Sequence, residues 1–310
     1  MPDFNGAGPV PRRFPLAILG AGALGLHFAS RLAPVVPLAL IARSANRAAD
    51  LAAGVGVGGH DFQPTVFSPP SVPEADWVLI LVKGPDTEAA GRLAAGMAPR
   101  GVLSLQNGLT EPALRSVCPA GRVGQGITTA GAYRDGARVV PTADGTTLLP
   151  PGFEPVAAWL VEAGFEARIS PAIAAERLAK LLVNVAINPL AAIFRVTNGA
   201  LLAPPHRVLL DALVDEAWPV LRREGLALDL GAAREWVAEV AARTGANRAS
   251  MLQDILAGRA TEIETITGAL LAMAAAQGVV LPTHEAVRTL VRRLEGGTPP
   301  PPPIALASRA

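Results

Sequence analysis

The first half of the chain alternates short apolar runs with more polar segments, which predicts a largely buried sheet. Four runs with few or no charges are typical of parallel strands covered on both faces: 16–19, 37–42, 76–82 and 101–105. Between residues 122 and 149, shorter β-type runs separated by Asp-Gly turns predict antiparallel strands. A helix near 155–163 and a strand near 166–169 complete this first domain.

The second half has helical periodicity almost throughout. Predicted helices cover residues 172–193, 205–224, 231–243, 250–257, 261–277 and 283–294. The sequence therefore predicts an α/β fold class, with an α/β domain over residues 15–170 and an all-α domain over 171–295. A flexible N-terminal arm over residues 1–14 and a proline-rich tail over 296–310 are expected to flank them.

The stretch 177–199 carries polar residues through an otherwise apolar helix. Lys180, Asn184 and Asn188 recur at every fourth position, so they lie on one face. Buried ammonium and amide groups are costly unless they are paired, which means that this stripe needs a reason. Pro189 lies inside the same pattern and predicts a kink beside it. We interpret the stripe as the wall of an active site.

Composition limits the classes of function. The 310 residues are 50% hydrophobic and 17% charged with a formal net charge of +1, as in a globular protein. The sequence has no concentrated basic patch, so it does not predict a nucleic-acid partner. The single cysteine, Cys118, excludes an internal disulfide, and with four scattered histidines it offers no metal-ligand spacing.

Lysine is scarce in this chain. Of the 27 lysines and arginines, only Lys83 and Lys180 are lysines. Arginine serves wherever a general surface cation is needed, so a retained lysine indicates a need for an ammonium group that can release its proton.

A glycine-rich turn follows the first predicted strand and precedes a helix ending near Leu32. It reads Gly20-Ala21-Gly22-Ala23-Leu24-Gly25. In this setting G-x-G-x-x-G predicts a Rossmann-type dinucleotide-binding domain. The first glycine permits the tight turn, the second allows the pyrophosphate to approach the backbone, and the third allows close helix–strand packing. The helix N-terminus then supplies N–H groups to the phosphates.

The same turn argues against a leader peptide. Arg12 and Arg13 precede an apolar run, which resembles a secretory or twin-arginine signal. Cleavage near Ser30 would remove the glycine motif, so we favour an arm followed by a folded domain. No run reaches ~18 uninterrupted apolar residues, so we expect no membrane span and a cytoplasmic location.

Three further residues lie at the ends of predicted strands. Arg43, beside Ser44, stands where an NAD-specific fold usually has an acid, so we predict NADP(H) as the cofactor. The alternative for Arg43 is a solvated strand-end cation. Lys83 and Asn107 follow the next two strands, at the edge where open α/β sheets bind ligands. Asn107-Gly108 is also a common turn dipeptide, which is the alternative interpretation.

From about 15 to 295 the chain resembles the ketopantoate reductases (2-dehydropantoate 2-reductases). The motifs that carry the resemblance are GAGALG, IARS, LVK, LQNG and GITTAGA in the first domain, and RLAKLLVNVAINPLAAI, VTNGALL and NRASMLQDILAGRATEIETITG in the second. The resemblance implies NADPH-dependent reduction of 2-dehydropantoate to D-pantoate, in the pathway to pantothenate and coenzyme A. It implies a small 2-oxo acid as the binding partner, and it leaves a homodimer open as the assembly.

The resemblance also implies roles for individual residues. It makes Lys180 and Glu262 catalytic, and it places the glycine turn, Arg43, Lys83 and Asn107 at the cofactor. The substrate-binding positions that it implies are Asn184, Asn188, Asn198, Asn247 and Ser250. Ser250 and Glu262 have simpler alternatives. Ser250…Gln253 has capping-box spacing, so Ser250 is alternatively an N-cap. Thr261…Glu264 has the same spacing, which puts Glu262 in a first helical turn, where any acid is favoured.

The chemistry of ketone reduction fits these residue types. Hydride addition places negative charge on the carbonyl oxygen, which must be stabilised and protonated. A lysine does both if burial lowers its pKa towards neutrality, while a nearby carboxylate opposes that shift. Two alternatives stay open: a reductase of another small or branched 2-oxo acid, and a non-catalytic NADP(H)-binding regulator.

Overall fold

The computed structural model describes residues 12–118 and 122–296, and its element order confirms the predicted fold class. The strands are β1 (Arg13–Leu19), β2 (Leu38–Ile41), β3 (Val55–Val57), β4 (His60–Phe62), β5 (Val66–Phe67), β6 (Glu74–Ile80), β7 (Gly101–Ser104), β8 (Arg122–Gln125), β9 (Ile127–Thr128), β10 (Gly131–Asp135), β11 (Arg138–Ala143), β12 (Thr146–Leu149) and β13 (Glu166–Ile169).

The helices are α1 (Ala23–Leu32), α2 (Ala45–Ala52), α3 (Thr87–Gly96), α4 (Glu111–Val117), α5 (Glu154–Glu162), α6 (Ile173–Phe194), α7 (His206–Arg223), α8 (Leu230–Arg243), α9 (Ser250–Leu256), α10 (Ala269–Ala276) and α11 (Pro282–Glu295). Two 3-10 turns occupy Gly84–Asp86 and Asn198–Leu202. A π-helical turn over Glu264–Gly268 leads into α10.

The central sheet has six parallel strands in the order β5-β2-β1-β6-β7-β8. This is the doubly wound order of dinucleotide-binding folds, in which the direction of strand addition reverses between β1 and β6. Ligands bind outside the carboxyl ends of the strands at such a reversal. The glycine turn after β1 and Lys83 after β6 both lie at these ends.

The apolar runs are buried because both faces of the central sheet are covered. Leu16 and Ile18 of β1 belong to one hydrophobic cluster, together with Leu26 and Phe28 of α1. The alternate residues of β1, such as Leu19, belong to a second cluster. Because successive side chains on a strand point to opposite faces, an apolar residue is required at every position.

The segment predicted as antiparallel is more varied than the turns indicated. The β10–β11 pair is antiparallel with a turn at Gly136, as predicted. In contrast, β8 is a parallel strand of the central sheet, and β12 pairs in parallel with β13 and antiparallel with β9. A further pairing, β11 with β3, was not predicted. Periodicity within a segment does not specify partners that are distant in sequence.

The chain divides into two compact units between Arg177 and Leu178. The predicted domain boundary at 170/171 lies in the turn before α6. In the second unit, α7 packs against α8, α10 and α11. The Glu216 carboxylate of α7 accepts hydrogen bonds from the Thr283 N–H and hydroxyl and from the His284 N–H, so it caps the start of α11.

Helix α6 is both long and apolar. It continues past Pro189 to Phe194, and the predicted kink stays a prediction. Among the described residues it is the one helix long and apolar enough to span a membrane by length and composition, but 67% of the window concerned is buried inside the protein. Such burial is typical of a core helix.

The predicted arm over residues 1–14 is wrong at its last residues. Arg13 and Phe14 belong to β1, and Arg13 donates hydrogen bonds to Asp76 and Glu74. These two acidic partners in β6 explain why β1 begins earlier than its apolar pattern indicates. The rest of the arm, residues 1–11, and the proline-rich tail from 297 onwards lie outside the described residues.

Candidate active site

The glycine turn has the geometry that its sequence predicts. Gly20 has φ +121°, and a Cβ there would lie 2.6 Å from the carbonyl carbon of Leu81, the residue that follows β6. A Cβ on Gly25 would lie 1.7 Å from the Gly20 oxygen, whereas one on Gly22 would meet nothing within 4 Å. Gly22 is also the N-cap of α1 and makes no side-chain cap. The turn therefore has two sterically required glycines and one open position, as a pyrophosphate-binding turn needs.

Basic side chains follow β2. Arg43 is exposed, and the Ser44 hydroxyl accepts a hydrogen bond from the Arg47 N–H, so Ser44 is the N-cap of α2. Burial and the positive charge of Arg47 lower the pKa of Arg134 on β10. Arg47 and Arg134 therefore lie close enough to repel each other, which favours an anion nearby.

Lys83 and Asn107 lie after neighbouring parallel strands. Lys83 precedes the 3-10 turn that follows β6, and it is exposed. Asn107 lies in the loop after β7 and is half-buried, beside Gly108 at φ +77°. The register places Ile80 of β6 opposite Ser104 of β7, so the two loops begin at the same edge of the sheet.

The polar stripe is present on α6 as predicted. Lys180 and Asn184 are half-buried, and Asn188 is buried with 8% exposure. Leu182 and Val185, which lie between them in the chain, are fully buried. The stripe therefore lies along the edge of a packed apolar face.

Lys180 is the electrostatically distinctive residue of the stripe. Burial lowers the pKa of Lys180 from its ordinary value of 10.5 to about 8, and the negative charge of Glu262 opposes this shift. The structure thus brings Lys180 and Glu262, which are distant in sequence, within electrostatic range in the second unit. A lysine with such a pKa exchanges its proton readily near neutral pH.

Glu262 precedes an irregular helical start. The Thr261 hydroxyl accepts a hydrogen bond from the Ile263 N–H and donates one to Glu295. Glu264, the other member of the predicted capping box, instead pairs with Arg288. The π-helical turn begins at Glu264, and π-helical turns occur often at functional sites. Thr261 and Glu264 therefore do not form the predicted capping box, and Glu262 lies just before the helical residues, which start at Ile263.

Asn198 and Asn247 are held together by their backbones. The Asn198 N–H donates to the Asn247 carbonyl at 3.0 Å, and the Gly199 N–H donates to Gly245 at 3.1 Å. The Asn198 Nδ2 donates to the Thr244 hydroxyl at 2.9 Å. Its Oδ1 is buried without a hydrogen-bond partner among the described residues. Such an acceptor is expensive to leave unpaired, which marks it for a functional role.

Ser250 is exposed and is the first residue of α9, whose N-cap is Ala249. The Gln253 side chain donates to the Arg248 carbonyl instead of forming a capping box with Ser250. The capping alternative for Ser250 is therefore wrong, which leaves its hydroxyl available for other partners.

Sequence reasoning missed an ion pair at the start of the stripe. Arg177 lies three residues before Lys180 on α6 and pairs with the Glu111 carboxylate, which also accepts from Arg115. Burial raises the pKa of Glu111, but the hydrogen bonds from Arg177 and Arg115 outweigh it and hold that pKa below its ordinary value. The signal in the sequence was the spacing: Arg177 precedes Lys180 by three residues, so it lies on the same face of the helix as the stripe.

Comparison with known proteins identifies the family. The chain matches the family model "Ketopantoate reductase PanE/ApbA" over residues 16–152 and the model "Ketopantoate reductase PanE/ApbA C terminal" over residues 172–295. The chain belongs to the ketopantoate reductase family. The membership predicted from the motifs is thereby confirmed, and the protein is an oxidoreductase that uses a nicotinamide cofactor.

Individual relatives agree with this membership. The chain is 35% identical to a 2-dehydropantoate 2-reductase of Archaeoglobus fulgidus over 296 residues, 90% of this chain and 97% of the relative. A ketopantoate reductase structure from Ralstonia eutropha JMP134 superposes with a TM-score of 0.79 at 28% identity, over 90% of this chain and 98% of the other. A D-mandelate dehydrogenase bound to NADH and anilino(oxo)acetate gives a TM-score of 0.82 at 24% identity over the same shares, which shows the fold alone.

Proposed function

We propose that the protein reduces 2-dehydropantoate to D-pantoate with NADPH, in the cytoplasm, on the route to pantothenate and coenzyme A. The observation that carries this proposal is Lys180: an ammonium group with a pKa of about 8, on a polar stripe of a packed helix, beside the charge of Glu262. The relatives named as 2-dehydropantoate 2-reductases support the choice of substrate.

The first unit suits the cofactor. NADPH, when bound, supplies the hydride. The glycine turn would hold the pyrophosphate, because Gly22 has open space where a Cβ would be and α1 has no side-chain cap. Arg43 would contact the 2′-phosphate, and the mutually repelling Arg47 and Arg134 favour a phosphate over a neutral hydroxyl in this region. Lys83 and Asn107, in loops that begin at the same edge of the sheet, would lie along the cofactor.

Lys180 would be the general acid of the reaction. Its ammonium group would stabilise the negative charge that develops on the carbonyl oxygen and would then donate a proton to that oxygen. Glu262 would keep Lys180 sufficiently protonated near neutral pH, because its charge raises the lysine pKa against the effect of burial.

The remaining polar residues would bind the substrate without adding net charge. The amides of Asn184 and Asn188 would donate to acceptor oxygens of the substrate. The buried Oδ1 of Asn198 is an acceptor, so it suits a substrate hydroxyl; Asn247 and Ser250 supply further polar groups. These neutral groups leave the charge of Lys180 to act on the ketone.

Steady-state NADPH oxidation tests the proposal. We expect 2-dehydropantoate to give the highest kcat/KM in a panel of small and branched 2-oxo acids. Comparable rates on several other acids, with 2-dehydropantoate among the poorest, would overturn the substrate. NADPH binding without turnover of any acid would favour a non-catalytic regulator.

Replacing the proposed acid tests the mechanism. Lys180→Ala should still bind NADPH, because the residues proposed to contact NADPH belong to the first unit. The kcat of this variant should fall by about 10²-fold or more. A kcat near that of the wild type would show that the stripe is structural.

A further inference from the structure

Gln125, at the end of β8, uses its whole side-chain amide to hold the loop that contains Asn107. Its Nε2 donates to the Gly108 carbonyl at 2.7 Å and to the Gln106 carbonyl at 3.3 Å. Its Oε1 accepts from the Thr110 N–H at 2.9 Å and from the Glu111 N–H at 3.2 Å. The two carbonyls flank Asn107 in the chain, so this one side chain fixes the backbone on both sides of it.

Gln106 joins the same loop to the loop that contains Lys83. Its Nε2 donates to the Val82 carbonyl at 3.0 Å and to the Thr87 hydroxyl at 2.9 Å. The Thr87 hydroxyl donates to the Gly84 carbonyl at 2.6 Å. The backbone on either side of Lys83 is thus held through Gln106 and Thr87.

The protons of this network can be arranged in one way only. Val82 O and Gly84 O only accept, so Gln106 must present Nε2 towards Val82 and the Thr87 hydroxyl proton must go to Gly84. The Oε1 of Gln106 is then the acceptor for the Ser104 hydroxyl, at 2.9 Å. Since that proton is used, the contact between Ser104 and the Thr110 hydroxyl requires Thr110 to donate.

Burial makes this arrangement rigid. Ser104 is 0%, Gln125 2% and Gln106 6% exposed. In a buried network the loss of one donor leaves its acceptors unpaired, and no water replaces it freely. Glutamate has the same shape as glutamine but offers no N–H, so a Gln→Glu change removes donors without removing volume.

We propose that Gln106 and Gln125 are positioning residues that hold Lys83 and Asn107 in the conformation that binds NADPH. This inference rests on the proposed function, which assigns the two residues to the cofactor. If the loops are already ordered before NADPH binds, binding loses less conformational entropy and the affinity is higher. The glutamines act through the backbone of the loops, so their effect should appear in cofactor affinity more than in chemistry.

The experiment compares Gln125→Glu with wild type in the full chain. NADPH binding is titrated by fluorescence, kcat is measured at saturating NADPH, and the midpoint of thermal unfolding is recorded. We expect the Kd for NADPH to rise by about tenfold or more, while kcat stays within about threefold of wild type. Thr147→Val is the matched control, because it removes a buried 2.9 Å contact with Thr128 in the same unit. It should lower the thermal midpoint and leave Kd unchanged.

A double-mutant cycle with Asn107→Ala gives the decisive result. If Gln125 acts by positioning Asn107, Gln125→Glu should change the Kd by less than about threefold when Asn107 is already truncated. The same fold-change in both backgrounds, or an unchanged Kd in the single variant, would overturn the inference. If Asn107→Ala alone leaves the Kd unchanged, the cofactor role of Asn107 in the proposed function fails, and the inference with it.

Gln106→Glu supplies an independent arm should the first variant fold poorly. Combined with Lys83→Ala in the same cycle, it should show the same non-additivity in the Kd for NADPH. Additive effects would show that Gln106 stabilises the fold without positioning Lys83.

Discussion

The pH dependence of reduction is the most direct consequence of the environment of Lys180. The group must be protonated to act as an acid, and its pKa is about 8. The protonated fraction is then about 90% at pH 7 and about 1% at pH 10, so kcat/KM should fall about 90-fold between them. A lysine with the ordinary value of 10.5 would lose only about a quarter of its protonated form over that interval.

The sign of the effect of Glu262 follows from the same charges. Its carboxylate raises the pKa of Lys180 against burial, so Glu262→Gln should move the fall in kcat/KM to lower pH. Glu264→Gln is the matched control: this acid lies two residues away and pairs with Arg288, so the profile should not move.

The assay is initial-rate NADPH oxidation with 2-dehydropantoate from pH 6 to pH 10. The assay requires that NADPH and the folded enzyme survive the brief exposure to each pH. Returning each sample to pH 7 and recovering the original rate verifies this. A profile that stays flat to pH 10, or one that Glu262→Gln shifts to higher pH, would refute the assignment of Lys180 as the acid.

Three further predictions concern cofactor binding and stability. Arg43→Ala should raise the KM for NADPH about tenfold and that for NADH less than about twofold; equal effects in steady-state assays would remove the reason for preferring the phosphate. Gly22→Ala should fold normally yet bind NADPH more weakly, whereas Gly25→Ala should lower the thermal midpoint because its Cβ would meet the Gly20 oxygen. Glu216→Ala should lower the free energy of unfolding in urea by about 1–3 kcal/mol because α11 loses its cap; an unchanged value would show that the cap is not stabilising.

Local features of the fold could be predicted from the sequence because their causes are local. In the turn Gly20–Gly25, the backbone conformation and close backbone contacts require glycine at Gly20 and Gly25. The stripe from Lys180 to Asn188 follows from the periodicity of the helix. The doubly wound order then follows from the motif and the alternation of strands and helices. These features sufficed to place the candidate cofactor residues at the carboxyl ends of strands.

Long-range pairings could not be predicted in the same way. Nothing within β8 distinguishes a parallel edge strand from one arm of a hairpin, and Val57 pairs with Val139 across nearly half of the first unit. Gln125 gave no signal either, because its four partners are backbone groups of the loop and of the first residue of α4, and backbone groups leave no mark in the sequence.

The near absence of lysine gives this chain a natural chemical handle. Amine-reactive probes attack the neutral form, and at pH 7.5 about a quarter of a group with the pKa of Lys180 is neutral, against about 0.1% of an ordinary lysine side chain. Only Lys83 is a second lysine in the whole sequence. A sub-stoichiometric dose of such a probe at this pH should therefore mark Lys180 together with an α-amino group, whose pKa of about 7.7–8.0 leaves a similar fraction neutral, and an ordinary lysine side chain far less.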